Sequence, residues 1–122
     1  MRKRSLIIIL LAVQLGWGRP AQAVDTVRPE DYQKFMIKYV DPEYPAYLYR
    51  NGIQGRGIYR IKINQKTGEV EEVKVVRSAG HRLLNEFVAK AALQWRFIPG
   101  RAPSEITFPY EFHIRGYSRQ VH

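Results

Sequence analysis

The chain reads GRGIYRIKI at residues 55–63 and VEEVKVV at 70–76, joined by Asn64-Gln65-Lys66-Thr67-Gly68. In the first run Gly57, Tyr59, Ile61 and Ile63 share one face, while Arg56, Ile58, Arg60 and Lys62 share the other. That period of two is the pattern of a half-buried strand. The link ends in glycine, and Val70, Val73, Val75 and Val76 form a second β-rich run, so the pair predicts an antiparallel hairpin. The change of parity between Val70 and Val73 predicts a bulge near Glu71-Glu72. Gly57 at an inward position predicts a bulky neighbour there, with Tyr44 as the candidate.

Toward the carboxyl end, Ser78-Ala79-Gly80 closes the hairpin. Leu84, Phe87, Val88, Ala91 and Trp95 then follow helical spacing, which predicts an amphipathic helix with Glu86 and Lys90 paired on its outer side. Pro99-Gly100 ends this segment and Arg101-Ala102-Pro103-Ser104 forms a loop. Ile106, Phe108, Tyr110, Phe112 and Ile114 alternate strictly, a third strand. Pro109 interrupts its donors, so this strand belongs at a sheet margin. Toward the amino end, Asn51-Gly52 terminates a helical turn from Ala46 to Arg50. Asp41-Pro42-Glu43-Tyr44-Pro45 is a stiff strap. Tyr32, Phe35, Met36 and Tyr39 fit one face of a short helix within residues 24–41.

The chain has 122 residues, enough for one domain, and no cysteine, which excludes disulfides, thiolate metal sites and thiol catalysis. Its start follows the secretory pattern: basic Arg2, Lys3 and Arg4, an apolar run from Ser5 to Val13, and Ala21-Gln22-Ala23. This predicts a signal peptide over residues 1–23, with a periplasmic mature chain, or an inner-membrane anchor if the segment is retained. Of the 20 basic side chains, Arg2, Lys3, Arg4 and Arg19 lie in that segment, against none of the 11 acidic ones, so the formal charge of +9 falls to +5 without it.

No constellation for catalysis emerges. His81, His113 and His122 lack metal-ligand spacing, and Ser78 near His81 lacks a nucleophile elbow. Glu69, Glu71 and Glu72 read as a solvated face. The glycines Gly52, Gly55 and Gly57 lead into a strand and not into the helix that a phosphate loop requires. Arg56, Arg60 and Lys62 lie on the face opposite Tyr59, which separates charge from stacking surface and argues against a nucleic-acid partner. No enzyme activity, metal or cofactor is expected. What remains is an uncovered last strand, the usual basis of peptide capture by β-augmentation.

The order of motifs resembles the C-terminal domain of the TonB family of energy transducers, from Pro42 to about Ile114. The resemblance rests on Tyr44-Pro45, Gly52-Ile53-Gln54-Gly55, Thr67-Gly68-Glu69-Val70, Val75-Val76-Arg77-Ser78-Ala79-Gly80, Leu84-Asn85, Trp95-Arg96-Phe97-Ile98-Pro99-Gly100 and Phe108-Pro109-Tyr110-Glu111-Phe112. It implies an α+β domain over residues 42–116, a three-stranded antiparallel sheet with one packed helix, preceded by a short helix and followed by a tail at 117–122. Tyr44, Pro45, Gly52, Gly55, Gly80, Trp95, Phe97 and Pro99 would be its structural motif.

The family's partners imply a binding edge at Ile106, Thr107, Phe108, Tyr110, Glu111, Phe112 and Ile114 for a peptide segment of outer-membrane TonB-dependent receptors, in support of energy-dependent transport. Inner-membrane motor proteins and a complete transducer are further partners that the resemblance suggests, and the bare edge could also pair with its own copy in a homodimer. The alternative is an envelope scaffold or self-associating module of the Tol kind. Residues 24–41 would reach only ~60 Å when extended, so an ancillary copy of the domain is expected, not a periplasm-spanning rod.

Overall fold

The computed structural model describes residues 24–114. Residues 1–23, on which the leader reading falls, and residues 115–122, which include the tail, lie outside the described residues. The element order is α1 (Pro29–Tyr32), a 3-10 turn (Gln33–Phe35), β1 (Met36–Lys38), α2 (Ala46–Tyr49), β2 (Gly55–Ile63), β3 (Val70–Arg77), α3 (Arg82–Ala92), β4 (Arg96–Phe97) and β5 (Glu105–Phe112). The main sheet is antiparallel with β2 in the centre, in the order β3-β2-β5, and a second small sheet pairs β1 with β4. The fold class is α+β, as the family resemblance implies.

The hairpin forms where its period of two lies. Lys62 pairs with Glu72 but Ile63 pairs with Val70, so Glu71 is the extra residue of the expected bulge. A second irregularity, which the parity of the sequence did not reveal, sets Tyr59 opposite Val75 but Ile58 opposite Arg77. Asn64 shapes the turn: its side-chain oxygen accepts the Lys66 N–H at 2.8 Å and the Thr67 N–H at 3.1 Å.

Helix α3 opens on His81, whose ring nitrogen accepts the Leu83 N–H, and it buries Leu84, Val88, Ala91 and Ala92. It ends at Ala92, short of Trp95. The chain there turns inward so that the Trp95 ring is buried and its Nε1–H donates to the Val40 carbonyl at 2.8 Å. Glu86 pairs with Arg82, one turn back, and not with Lys90 as expected. Both partners are solvent-exposed, so the pair adds little to stability.

Residues 24–41 differ most from expectation. The helical face over Tyr32 and Phe35 forms, but Met36–Lys38 is a strand that pairs with Arg96–Phe97. A helix of one or two turns is marginal on its own. Here the Phe97 N–H reaches the Gly68 carbonyl at 2.8 Å and the Ile98 N–H reaches Phe35 at 2.8 Å, so the Trp95–Pro99 motif ties the hairpin turn to the amino-terminal segment.

The core comprises Tyr59, Ile61 and Ile63 from β2, Ile106, Phe108 and Phe112 from β5, Leu84 and Val88 from α3, with Trp95, Phe97, Tyr32 and Leu48. Phe87, on the apolar face predicted for the helix, is half-buried at the core's margin. Among the described residues no buried side chain is polar or charged except the two tyrosines.

Candidate functional site

The candidate site is the outer margin of β5, and the register shows which backbone atoms face outward there. Gly55, Gly57, Tyr59 and Ile61 of β2 stand opposite Phe112, Tyr110, Phe108 and Ile106. The Ile63 N–H donates to the Ser104 carbonyl, so even-numbered residues on this strand turn their backbone groups toward β2. Thr107 turns the other way, since its carbonyl accepts the Val27 N–H at 2.8 Å. Alternation along an antiparallel ladder then directs the backbone of Thr107, Pro109 and Glu111 away from the sheet.

The residues read from sequence as the binding edge therefore divide in two. Ile106, Phe108 and Phe112 have buried side chains and backbone groups committed to β2, so they support the margin without forming it. Tyr110 is half-buried on the same side. Thr107 and Glu111 belong to the outward row. Ile114 follows the strand, and its N–H donates to the Gln54 Oε1 at 3.0 Å. Pro109 also lies in the outward row, where a missing N–H breaks no bond to β2, as its position in the sequence predicts. Val27, 80 positions earlier in the chain, is the contact that sequence reasoning missed, because one backbone bond leaves no periodic signal.

Aromatic rings flank this margin. Phe108 lies 5.0 Å from Trp95 and 5.7 Å from Tyr32. Further along, Tyr110 meets Phe112 at 5.0 Å, Phe112 meets Tyr44 at 5.1 Å, and Tyr44 meets Tyr49 at 5.4 Å, all edge-on. Burial and the nearby Asp41 carboxylate raise the pKa of the Tyr110 hydroxyl, and burial together with Asp41 raises that of Tyr39 strongly. Both phenols therefore stay neutral at physiological pH. On the opposite face Arg60 Nε donates to Thr107 Oγ1 at 3.0 Å, and Glu111 Oε2 lies 3.7 Å from His113 Nδ1.

Behind the margin lie the residues that the resemblance marks as a structural motif. The Tyr44 hydroxyl donates to the Ile53 carbonyl at 2.6 Å, and Pro45 precedes α2 as its N-cap. Gly52 adopts φ +73 at the end of that turn, where left-handed backbone favours glycine. A β-carbon on Gly55 would lie 1.8 Å from the Ala79 carbonyl oxygen, so glycine is required for the loop at 78–80 to approach β2. Gly80 is at φ +100 and Pro99 leads into the turn at Gly100, φ +76. Gly57 makes room for the ring of Tyr59, two residues along its own strand, and not for Tyr44 as expected. Its β-carbon would meet the Tyr59 hydroxyl at 2.3 Å. Among the described residues no group of three or more His, Cys, Asp or Glu side chains is placed to hold a metal ion, and no helix is long and apolar enough to cross a membrane.

These features define a class: a small α+β domain with one helix on an antiparallel sheet, whose last strand turns an outward backbone row to the surface. The family model for the Gram-negative bacterial TonB protein C-terminal matches residues 40–114, and the chain belongs to that family. It is similar to the protein tonB2 of Pseudomonas aeruginosa, 29% identical over 78 residues, which cover 60% of this chain and 28% of that protein. The chain thus matches little more than a quarter of that relative. Among solved structures it is similar to the solution NMR structure of the Pseudomonas aeruginosa TonB CTD, with 26% identity and a TM-score of 0.55 over 66% of this chain and 85% of that one.

Proposed function

We propose that this domain works in the periplasm as a TonB-type binding module, adding an extended segment of an outer-membrane TonB-dependent receptor beside β5 in support of energy-dependent transport. Membership of the TonB C-terminal family supports the setting. The observation that carries the reading is the outward backbone row from Thr107 through Pro109 to Glu111, in which only Thr107 accepts a backbone bond from another segment among the described residues. Backbone hydrogen bonds along such a row supply affinity, and alternate side chains supply selectivity.

The other margin, β3, is a poorer template. It carries two bulges, at Glu71 and next to Val76, and it presents Glu71, Glu72 and Lys74 to solvent. Bulges and charges of this kind are the usual means of blunting a sheet edge. The test is a titration of the labelled chain with synthetic receptor box peptides, read by residue-resolved NMR. Shifts concentrated on Thr107 to His113 are expected. A panel of peptides that moves no resonance, or that moves only β3, would overturn the reading.

A further inference from the structure

We propose that the amino-terminal segment of this domain is a built-in competitor that occupies the Thr107 position of the β5 margin and is displaced when a long extended segment docks there. The inference rests on the reading of β5 as a strand-capture edge, and it concerns how that edge is regulated. Val27 donates its N–H to the Thr107 carbonyl at 2.8 Å, which is the bond an added strand would make at that position. Val27 is half-buried against the core and is not a dangling end.

The segment is held at several further points. Tyr32 is 3% exposed, and its ring stacks on Trp95 at 5.8 Å and tilts over Phe108 at 5.7 Å. Beyond it the Val40 carbonyl accepts Trp95 Nε1–H. Tyr32 and Val40 anchor the segment in the core, whereas Val27 lies outside them, ahead of α1; the side chain of Arg28 beside it makes exposed ion pairs with Glu30 and Asp31, and its carbonyl accepts the Asp31 N–H at 2.9 Å. The stretch up to Val27 can therefore leave Thr107 while Arg28 stays on α1 and Tyr32 stays in place. A peptide confined to Pro109 and beyond meets no competitor, while one that extends to Thr107 must displace Val27. The segment thus sets which length of partner binds best.

Two measurements test this on the full chain. In the first, the Val27 amide is followed by hydrogen exchange with and without a synthetic receptor box peptide long enough to reach Thr107. Protection in the unliganded chain that is lost on binding supports the inference. In the second, affinities for that peptide and for a version truncated to pair only from Pro109 onward are compared between the parent and Val27→Pro, which lacks the donor. One hydrogen bond's net worth predicts roughly threefold to tenfold tighter binding of the long peptide by the variant, and no change for the short one. Binding of the long peptide at Thr107 to His113 with Val27 still protected, or with equal affinity for both chains, overturns the competition and leaves the receptor reading standing. No binding of either peptide to either chain overturns the receptor reading, and the competition falls with it.

Discussion

The Tyr59 hydroxyl donates to Asn85 Oδ1 at 2.7 Å, and through that bond the central strand holds the first turn of α3. Asn85 is a junction: the same oxygen accepts the Ala79 N–H at 2.9 Å, and its Nδ2 donates to Ser78 Oγ at 2.8 Å. One side chain thus fixes the β3–α3 loop, the start of the helix and the Tyr59 ring that lies over Gly57. Asn85→Ala should leave a buried hydroxyl and an amide without partners and cost about 2–4 kcal/mol. Tyr59→Phe removes only one donor and should cost about 1 kcal/mol. Urea denaturation of both single variants and the double variant checks this, and the double-variant cost should fall well short of the sum.

Glycine substitutions should separate close approach from backbone strain. A β-carbon at Gly55 meets a backbone oxygen at 1.8 Å, and neither group can yield without moving a strand or a loop. Gly55→Ala should cost about 3 kcal/mol or more. At Gly52 a β-carbon meets nothing, and only the left-handed backbone resists it, for which about 1–2 kcal/mol is expected. A thermal melt that ranked Gly52→Ala below Gly55→Ala would refute the close packing of 78–80 on β2.

The larger elements were legible in the sequence because each repeats its signal. The hairpin shows four inward positions in a row, α3 shows a run of apolar steps of three and four, and β5 alternates from Ile106 to Ile114 around a proline whose place at the margin follows from its missing donor. The Glu71 bulge was legible as a change of parity. By contrast β1 and β4 are three and two residues long, too short to show a period, and they exist because distant segments pair. Within the site, the register that separates Thr107 and Glu111 from Ile106 and Phe108 depends on β2. The contact of Val27 with Thr107 is a single long-range bond.

The segment before Pro42 belongs to the folding unit. It supplies Tyr32 to the stack on Trp95 and Phe108, β1 to the second sheet, and the Val40 carbonyl to Trp95 Nε1. A chain that begins at Pro42 should be less stable than one that begins at Val24 by at least ~3 kcal/mol, the scale of losing one buried aromatic side chain. Trp95→Ala should cost ~3–5 kcal/mol and Trp95→Phe less. A shortened chain with the melting temperature of the longer one would show that residues 24–41 dock without stabilising.

Alkaline stability follows from the buried phenols. Burial raises the Tyr59 and Tyr32 hydroxyls from an ordinary value of 10.0 to about 12. In the unfolded chain both ionise near pH 10, so the folded state holds more protons between pH 10 and 12. Their contribution is fully present below pH 10 and is lost as pH rises through that window, on the order of 2–3 kcal/mol per tyrosine at its upper end. Denaturation midpoints measured from pH 8 to 12 should stay level to about pH 10 and then fall, and Tyr59→Phe should make the fall shallower.

The register of β5 predicts that neighbouring prolines have opposite effects. Glu111 turns its N–H outward, as Pro109 would if it had one, so Glu111→Pro removes a donor from the margin without breaking a bond to β2. It should cost within about 1–2 kcal/mol of stability, yet weaken binding of a box peptide by roughly tenfold. Tyr110 stands opposite Gly57 in a bonded pair, so Tyr110→Pro breaks the ladder itself and should cost about 3 kcal/mol. Thermal melts and calorimetric titrations of the two variants settle which backbone groups the partner uses. Equal peptide affinity for Glu111→Pro and the parent would mean that the captured segment does not pair at this position.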